Sequence, residues 1–207
     1  MMKSQIIARV MGLVVTSLFW FGCASISPPV ACDLPPTPHP SLPERGISAH
    51  RGGFFGCPMN TIGAFQRAIC SGVHQIEFDV RATADGALVV VHDGHVTDAH
   101  GKTLTISDSR LSDIQQLRFA PCAGEETGER IPTLEEAMLK CMELGVTLNL
   151  ELKVYNQHTT QALTDEVLAT VERINYPLDK LLFSSFNQDV LAQCKAHYPQ
   201  VRRGFIC

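Results

Sequence analysis

The chain has 207 residues, 45% hydrophobic and 18% charged, with a formal net charge of −4. That composition supports one buried core and excludes a wholly disordered chain. With no basic run there is no electrostatic footprint for nucleic acid, so no nucleic-acid partner is expected.

Lys3 and Arg9 precede an apolar run over residues 10–21, which then meets Gly22-Cys23-Ala24-Ser25. This order predicts an export signal over residues 1–23. Its apolar stretch is shorter than the roughly 20 residues of a permanent membrane helix. Gly22-Cys23 also resembles the end of a bacterial lipobox, in which the cysteine is lipidated, with Trp20 and Phe21 in place of the usual Leu and small residue. The expectation is an exported protein, periplasmic or held as a lipoprotein with its N-terminus on the membrane; a conventional secretory cut and an uncleaved anchor are the alternatives. Residues 24–43 carry seven prolines, at 28, 29, 35, 36, 38, 40 and 43, and read as an extended tether before a folded domain over residues 44–207.

Eight cysteines in an exported chain point to disulfides. Lipidation of Cys23 would leave an odd number, and none of Cys57, Cys70, Cys122, Cys141, Cys194 or Cys207 forms a CxxC pair, so the pairing stays open and a zinc knuckle is disfavoured.

From Gly46 onward, short apolar strands alternate with helical patterns, which predicts βα units on a parallel sheet. A strand over 46–50 is followed by a helix with Asn60 and Thr61 as candidate caps, apolar Ile62, Phe65, Ala68 and Ile69, and Gly72 at its end. The next strand, 75–81, places Glu77 and Asp79 on one face and Ile76, Phe78 and Val80 on the other. Asp85-Gly86 marks a tight turn into a strand over 87–92, as a hairpin or a disguised crossover; its valine run predicts burial on both faces and so a central strand. A short helix is predicted over 105–117. Thr133 and Glu136 then form a capping box for a longer helix ended by Gly145. A strand over 147–153, a helix over 159–174, a strand over 181–186, a helix over 189–197 and a strand over 201–206 complete six strands.

Three short motifs at strand exits carry the chemistry: His50-Arg51-Gly52, Glu77-Phe78-Asp79 and His92-Asp93. Two histidines, an arginine and paired carboxylates are the parts of a metal-assisted site for a phosphate ester. Neighbouring carboxylates repel in a partly desolvated cleft, and a hard divalent cation removes that cost. An exposed acidic strand face is the competing reading. Glu151 would supply a third carboxylate, and Lys153, on the same side, would meet an anionic substrate or form a structural ion pair. His74, His95, His100, His158 and His197 read as packed or surface imidazoles, and His39 belongs to the tether.

The same residues, together with Pro58-Met59-Asn60-Thr61, Asp85-Gly86, Val89-Val90-Val91-His92-Asp93, Ile131-Pro132-Thr133-Leu134-Glu135, Leu150-Glu151-Leu152-Lys153 and Ser184-Ser185-Phe186, closely resemble the glycerophosphodiester phosphodiesterase family. The resemblance implies an α/β fold of the TIM (β/α)8 barrel type and hydrolysis of small-molecule glycerophosphodiesters to glycerol 3-phosphate and an alcohol. It further implies His50 and His92 as acid and base, Arg51 and Lys153 as substrate-binding groups, and Glu77, Asp79 and Glu151 as ligands of Ca2+ or Mg2+. Met59 stands where the family usually has Glu. A complete barrel needs about 250 residues, so the six strands predict an incomplete one, lacking C-terminal units, with reduced activity. The alternatives are an inactive or binding-only lipoprotein and a phospholipase-like phosphodiesterase.

Overall fold

The computed structural model describes residues 47–53, 56–154 and 157–207, without the side chains of 157–159. The expected signal and tether lie outside the described residues. Among the described residues no helix is long and apolar enough to cross a membrane.

The elements in chain order are β1 (Ser48–Ala49), α1 (Ile62–Cys70), β2 (Gln75–Ala82), β3 (Leu88–Val90), β4 (His95–Thr97), β5 (Thr103–Thr105), α2 (Leu111–Ile114), α3 (Leu134–Leu144), β6 (Thr147–Leu152), α4 (Gln157–Arg173), β7 (Leu181–Ser185), α5 (Gln188–His197) and β8 (Arg202–Phe205). Five strands run in parallel in the order β1-β2-β6-β7-β8, and β3 joins β2 to make six. This is the α/β, TIM-barrel-type architecture read from the sequence.

Alternation builds the two faces. Ile76, Phe78 and Val80 of β2 and Leu148, Leu150 and Leu152 of β6 are fully buried in one core with Phe65, Met138, Val167 and Phe183. Phe65 stacks on Phe78 with ring centroids 5.5 Å apart, which fixes α1 against β2. The opposite face carries the polar residues, and the β2–β6 register sets Glu77 beside Asn149 and Asp79 beside Glu151. Thr133 and Glu136 make the expected capping box on α3, and Gly145 ends that helix at φ 69°.

Two elements differ from the sequence reading. The valine run is buried on both faces, but it forms the hairpin with β2 and is not a central strand. β3 is a three-residue strand antiparallel to the end of β2, with Val80 opposite Val90 and Ala82 opposite Leu88. Its double burial has another source: Leu88 and Val90 enter the main core, while Val89 and Val91 enter a second cluster with Val96, Ile106, Ile114, Leu117 and Ile131. The helix expected over 105–117 is shorter: Thr105 ends β5, residues 106–108 make a single helical turn, and α2 begins only at Leu111 because Ser109 and Arg110 are extended. The β4–β5 hairpin before it, turned at Gly101 (φ 83°), has no counterpart in the sequence reading. Cys57 is bonded to Cys122, Cys70 is also in a disulfide, and Cys141 and Cys194 are buried thiols.

Candidate active site

Two non-glycine residues in the left-handed region, Arg51 (φ 57°) and Asn60 (φ 60°), converge on the carboxylates of β2. Such conformations persist only where their surroundings impose them. At Arg51 the turn lies so close to α1 that a Cβ on Gly52 would stand 2.6 Å from the Phe65 ring, so glycine is required there. The Arg51 backbone N–H donates to Glu77 Oε2 at 2.8 Å, and Arg51 Nε is 3.8 Å from Asp79 Oδ2. Asn60 donates its backbone N–H to Arg51 O at 2.8 Å and its side-chain Nδ2–H to Asp79 Oδ2 at 3.1 Å.

Glu77, Asp79 and Glu151 are all buried, Asp79 completely. One oxygen from each lies within 4.8 Å of the others. Glu77 Oε1 has no hydrogen-bond donor. Lys153 Nζ pairs with Glu151 Oε1 at 2.7 Å and with Asp79 Oδ1 at 3.1 Å. Burial, reinforced by the adjacent Asp79 charge, pushes Glu77 up to about 7, against the Arg51 N–H that pulls it down. Burial opposes the charge of Lys153 too, but Glu151 and Asp79 outweigh it and hold the ammonium above its ordinary value. Three buried anionic oxygens offset by one ammonium are a donor set that fits a hard divalent cation. A second group, Cys122, Glu125 and Glu129, does not, because the Cys122 sulfur is in the disulfide.

The histidines sit apart from this cluster in different ways. His50 is two-thirds exposed, with Nε2 3.9 Å from Glu77 Oε2. His92 follows β3; its Nδ1 is 2.7 Å from Asp93 Oδ1, and its carbonyl accepts from the Arg81 guanidinium, at 2.7 Å from Nε. His92, Arg51 and Asn60 line one cavity of about 200 Å³, walled by Met59, Val96, Phe119 and Ile131; His50 is not in its lining. The structure thus gathers Arg51, Glu77, Asp79, Glu151 and Lys153 directly, His50 at the edge through Glu77, and His92 across the cavity from Arg51. Asn60 was readable as a helix cap, yet Thr61 takes that part by accepting from Ala64 N. Asn60 holds Asp79 instead, and the signal for it was the redundant pair of candidate caps. Arg81, on the same strand as Glu77 and Asp79, donates to the His92 carbonyl, a contact with no signal in sequence spacing.

Residues 50–207 match the glycerophosphoryl diester phosphodiesterase family. The chain belongs to that family. A glycerophosphodiester phosphodiesterase of Caldanaerobacter subterraneus subsp. tengcongensis is 32% identical over 165 residues, which are 77% of this chain and 65% of the relative. An Oleispira antarctica phosphodiesterase, solved with the product sn-glycerol-3-phosphate, superposes with a TM-score of 0.66 at 30% identity, over 76% of this chain and 64% of that one. A glycerophosphodiester phosphodiesterase from Parabacteroides distasonis gives 0.64 at 28% identity, over 76% and 63%. The chain therefore spans about two thirds of the length of these phosphodiesterase relatives. In this member of the family Met59 is half-exposed on the cavity wall, so that wall carries no carboxylate at position 59.

Proposed function

We propose that the protein hydrolyses glycerophosphodiesters to glycerol 3-phosphate and an alcohol, with Ca2+ or Mg2+ held by Glu77, Asp79 and Glu151. The observation that carries this reading is the convergence of three buried carboxylates, offset by one ammonium, beside Arg51 and Lys153 in a chain of this family. When bound, the cation neutralises charge on the phosphoryl oxygens.

The protein's own groups do the rest. Arg51 clamps the phosphate, its guanidinium steadied by the Asp79 carboxylate 3.8 Å away. Lys153 lies over the exposed Phe186 ring, 5.6 Å from its centroid, and balances Asp79 and Glu151 while facing the anionic diester. His50 and His92 serve as acid and base: one removes the proton of the attacking hydroxyl, from glycerol or water, and the other protonates the departing alkoxide. Asp93 on His92 Nδ1 fixes that ring and leaves Nε2 for the proton.

Export supports the same picture. The apolar run at residues 10–21 is followed in the folded part by the Cys57–Cys122 disulfide, a bond characteristic of oxidising compartments. We place the protein outside the inner membrane, as a periplasmic or N-terminally lipid-anchored protein.

A second reading, binding of cation and diester without turnover, is favoured by one observation: His50 is exposed and does not line the cavity that holds His92. Incubating the purified full chain with glycerophosphocholine and Ca2+ or Mg2+ separates the two. Release of glycerol 3-phosphate, reduced about 100-fold or more by His50→Ala or His92→Ala, is the expected result. A folded protein that binds cation and releases no product would leave the binding reading.

A further inference from the structure

The segment that holds Asp79 is tied across the fold by a disulfide. Asn60 sits three residues after Cys57, in a left-handed conformation (φ 60°) that asparagine tolerates better than most residues. One flank is fixed by Thr61, whose hydroxyl donates to Pro58 O at 2.7 Å and accepts from Ala64 N. The other flank is fixed by the Cys57–Cys122 bond and by Ala123 N donating to Gly56 O at 2.7 Å. Among the described residues the apolar cluster here consists of Cys57, Ala64 and Cys122, three small side chains. The covalent link is the one constraint in it that packing cannot replace.

The far side of the link is equally spare. Residues 119–130 form no helix or strand beyond an isolated bridge between Pro121 and Gly128. They are held by Phe119 N donating to Glu129 O at 2.8 Å, by Arg67 donating to Ala123 O, and by Gly63 N donating to Glu129 Oε2 at 3.4 Å. This segment also brings Phe119 to the cavity shared by Arg51, Asn60 and His92. The disulfide therefore joins the loop that grips Asp79 to the opposite cavity wall, and both sulfur-bearing residues are buried.

We infer that Cys57 and Cys122 are positioning residues for the cation site, acting through Asn60, so that breaking their bond lowers cation affinity while the barrel core stays folded. A dithiol reductant does this in a balanced exchange: it gives two electrons and two protons, leaving two cysteine thiols and its own cyclic disulfide. Freed at Cys57, the loop no longer forces Asn60 into its left-handed conformation, and the Asn60 Nδ2–Asp79 Oδ2 bond loosens. The inference rests on the cation site proposed above and not on turnover.

The test is calorimetric titration of the full chain with Ca2+ or Mg2+ alone, as wild type, Cys57→Ala/Cys122→Ala, Asn60→Ala and the triple variant. Cation affinity should fall roughly tenfold in the cysteine pair variant and in Asn60→Ala. The triple variant should bind no more weakly than Asn60→Ala, because both changes remove the same constraint. Unchanged affinity in a folded cysteine variant, or losses that multiply in the triple variant, would overturn the inference. Amide exchange gives the second readout: in Cys57→Ser/Cys122→Ser, which leaves the Cys70 bond intact, the Asn60 amide should exchange about tenfold faster than in wild type while β2 and β6 keep their protection, and a rise everywhere or nowhere counts against it. An oxidised wild type that binds neither ion would remove the cation site and this inference together, whatever its hydrolytic activity.

Discussion

Burial and the Asp79 charge raise Glu77 to about 7, so a proton competes for its carboxylate around neutral pH in the cation-free protein. A divalent cation binds the carboxylate form, so it must displace that proton. The sign follows: below about 7 the proton competes and affinity falls, and above it the site is ready-ionised. Calorimetry across pH 6 to 8, in buffers of different ionisation enthalpy, should show rising Ca2+ or Mg2+ affinity and proton release; flat affinity without release would contradict the assignment of Glu77. At this scale the sequence was most readable for charge. The i, i+2 spacing of Glu77 and Asp79, repeated on Glu151 and Lys153, places charges on one face of an extended strand. The neutral partners were hidden. Asn60 works through a left-handed backbone conformation and a contact nineteen residues away, neither of which has a local pattern.

The long elements were legible because local and tertiary preferences agree. In α3, Thr133 accepts from Glu136 N and Glu136 accepts from Thr133 N, while Arg130 forms a two-pronged pair with the same carboxylate. Arg130, as hydrogen-bond donor, holds Glu136 down at about 2. Its stabilising contribution is therefore complete above the ordinary carboxylate range near 4.5 and is lost as pH falls toward 2. Thermal melts of wild type and Glu136→Gln should differ at pH 6 and converge near pH 2, and Thr133→Ala should cost about 1 kcal/mol at neutral pH. A constant gap between the melts at all pH values would count against the ion pair. The region between β2 and α3 was misread for a physical reason. Val89 and Val91 satisfy a second cluster that the main sheet does not reach, so burial on both faces no longer implied a central strand. Likewise the three-residue strands β4 and β5 are too short for their alternation to mark a hairpin.

At the scale of the whole molecule, the parallel register does the assembling. Pairing β2 with β6 sets Asp79 opposite Glu151, and pairing β6 with β7 sets Glu151 opposite Ser184. A slip of one residue in β6 against β2 would turn Glu151 into the apolar layer, away from Glu77 and Asp79. The polar face of the sheet and the metal-type donor set are thus one feature, and the arginine, lysine and histidines are arranged around it by loops at the strand exits. The most direct measurement follows from this. Glycerol 3-phosphate release from glycerophosphocholine and cation binding should be followed together in the full chain and in Asp79→Asn. The account predicts that wild-type release requires Ca2+ or Mg2+, stops with a chelator, and is lost together with cation binding in Asp79→Asn. Undiminished release from a chelated wild type, or from an Asp79→Asn protein that no longer binds the ion, would contradict it.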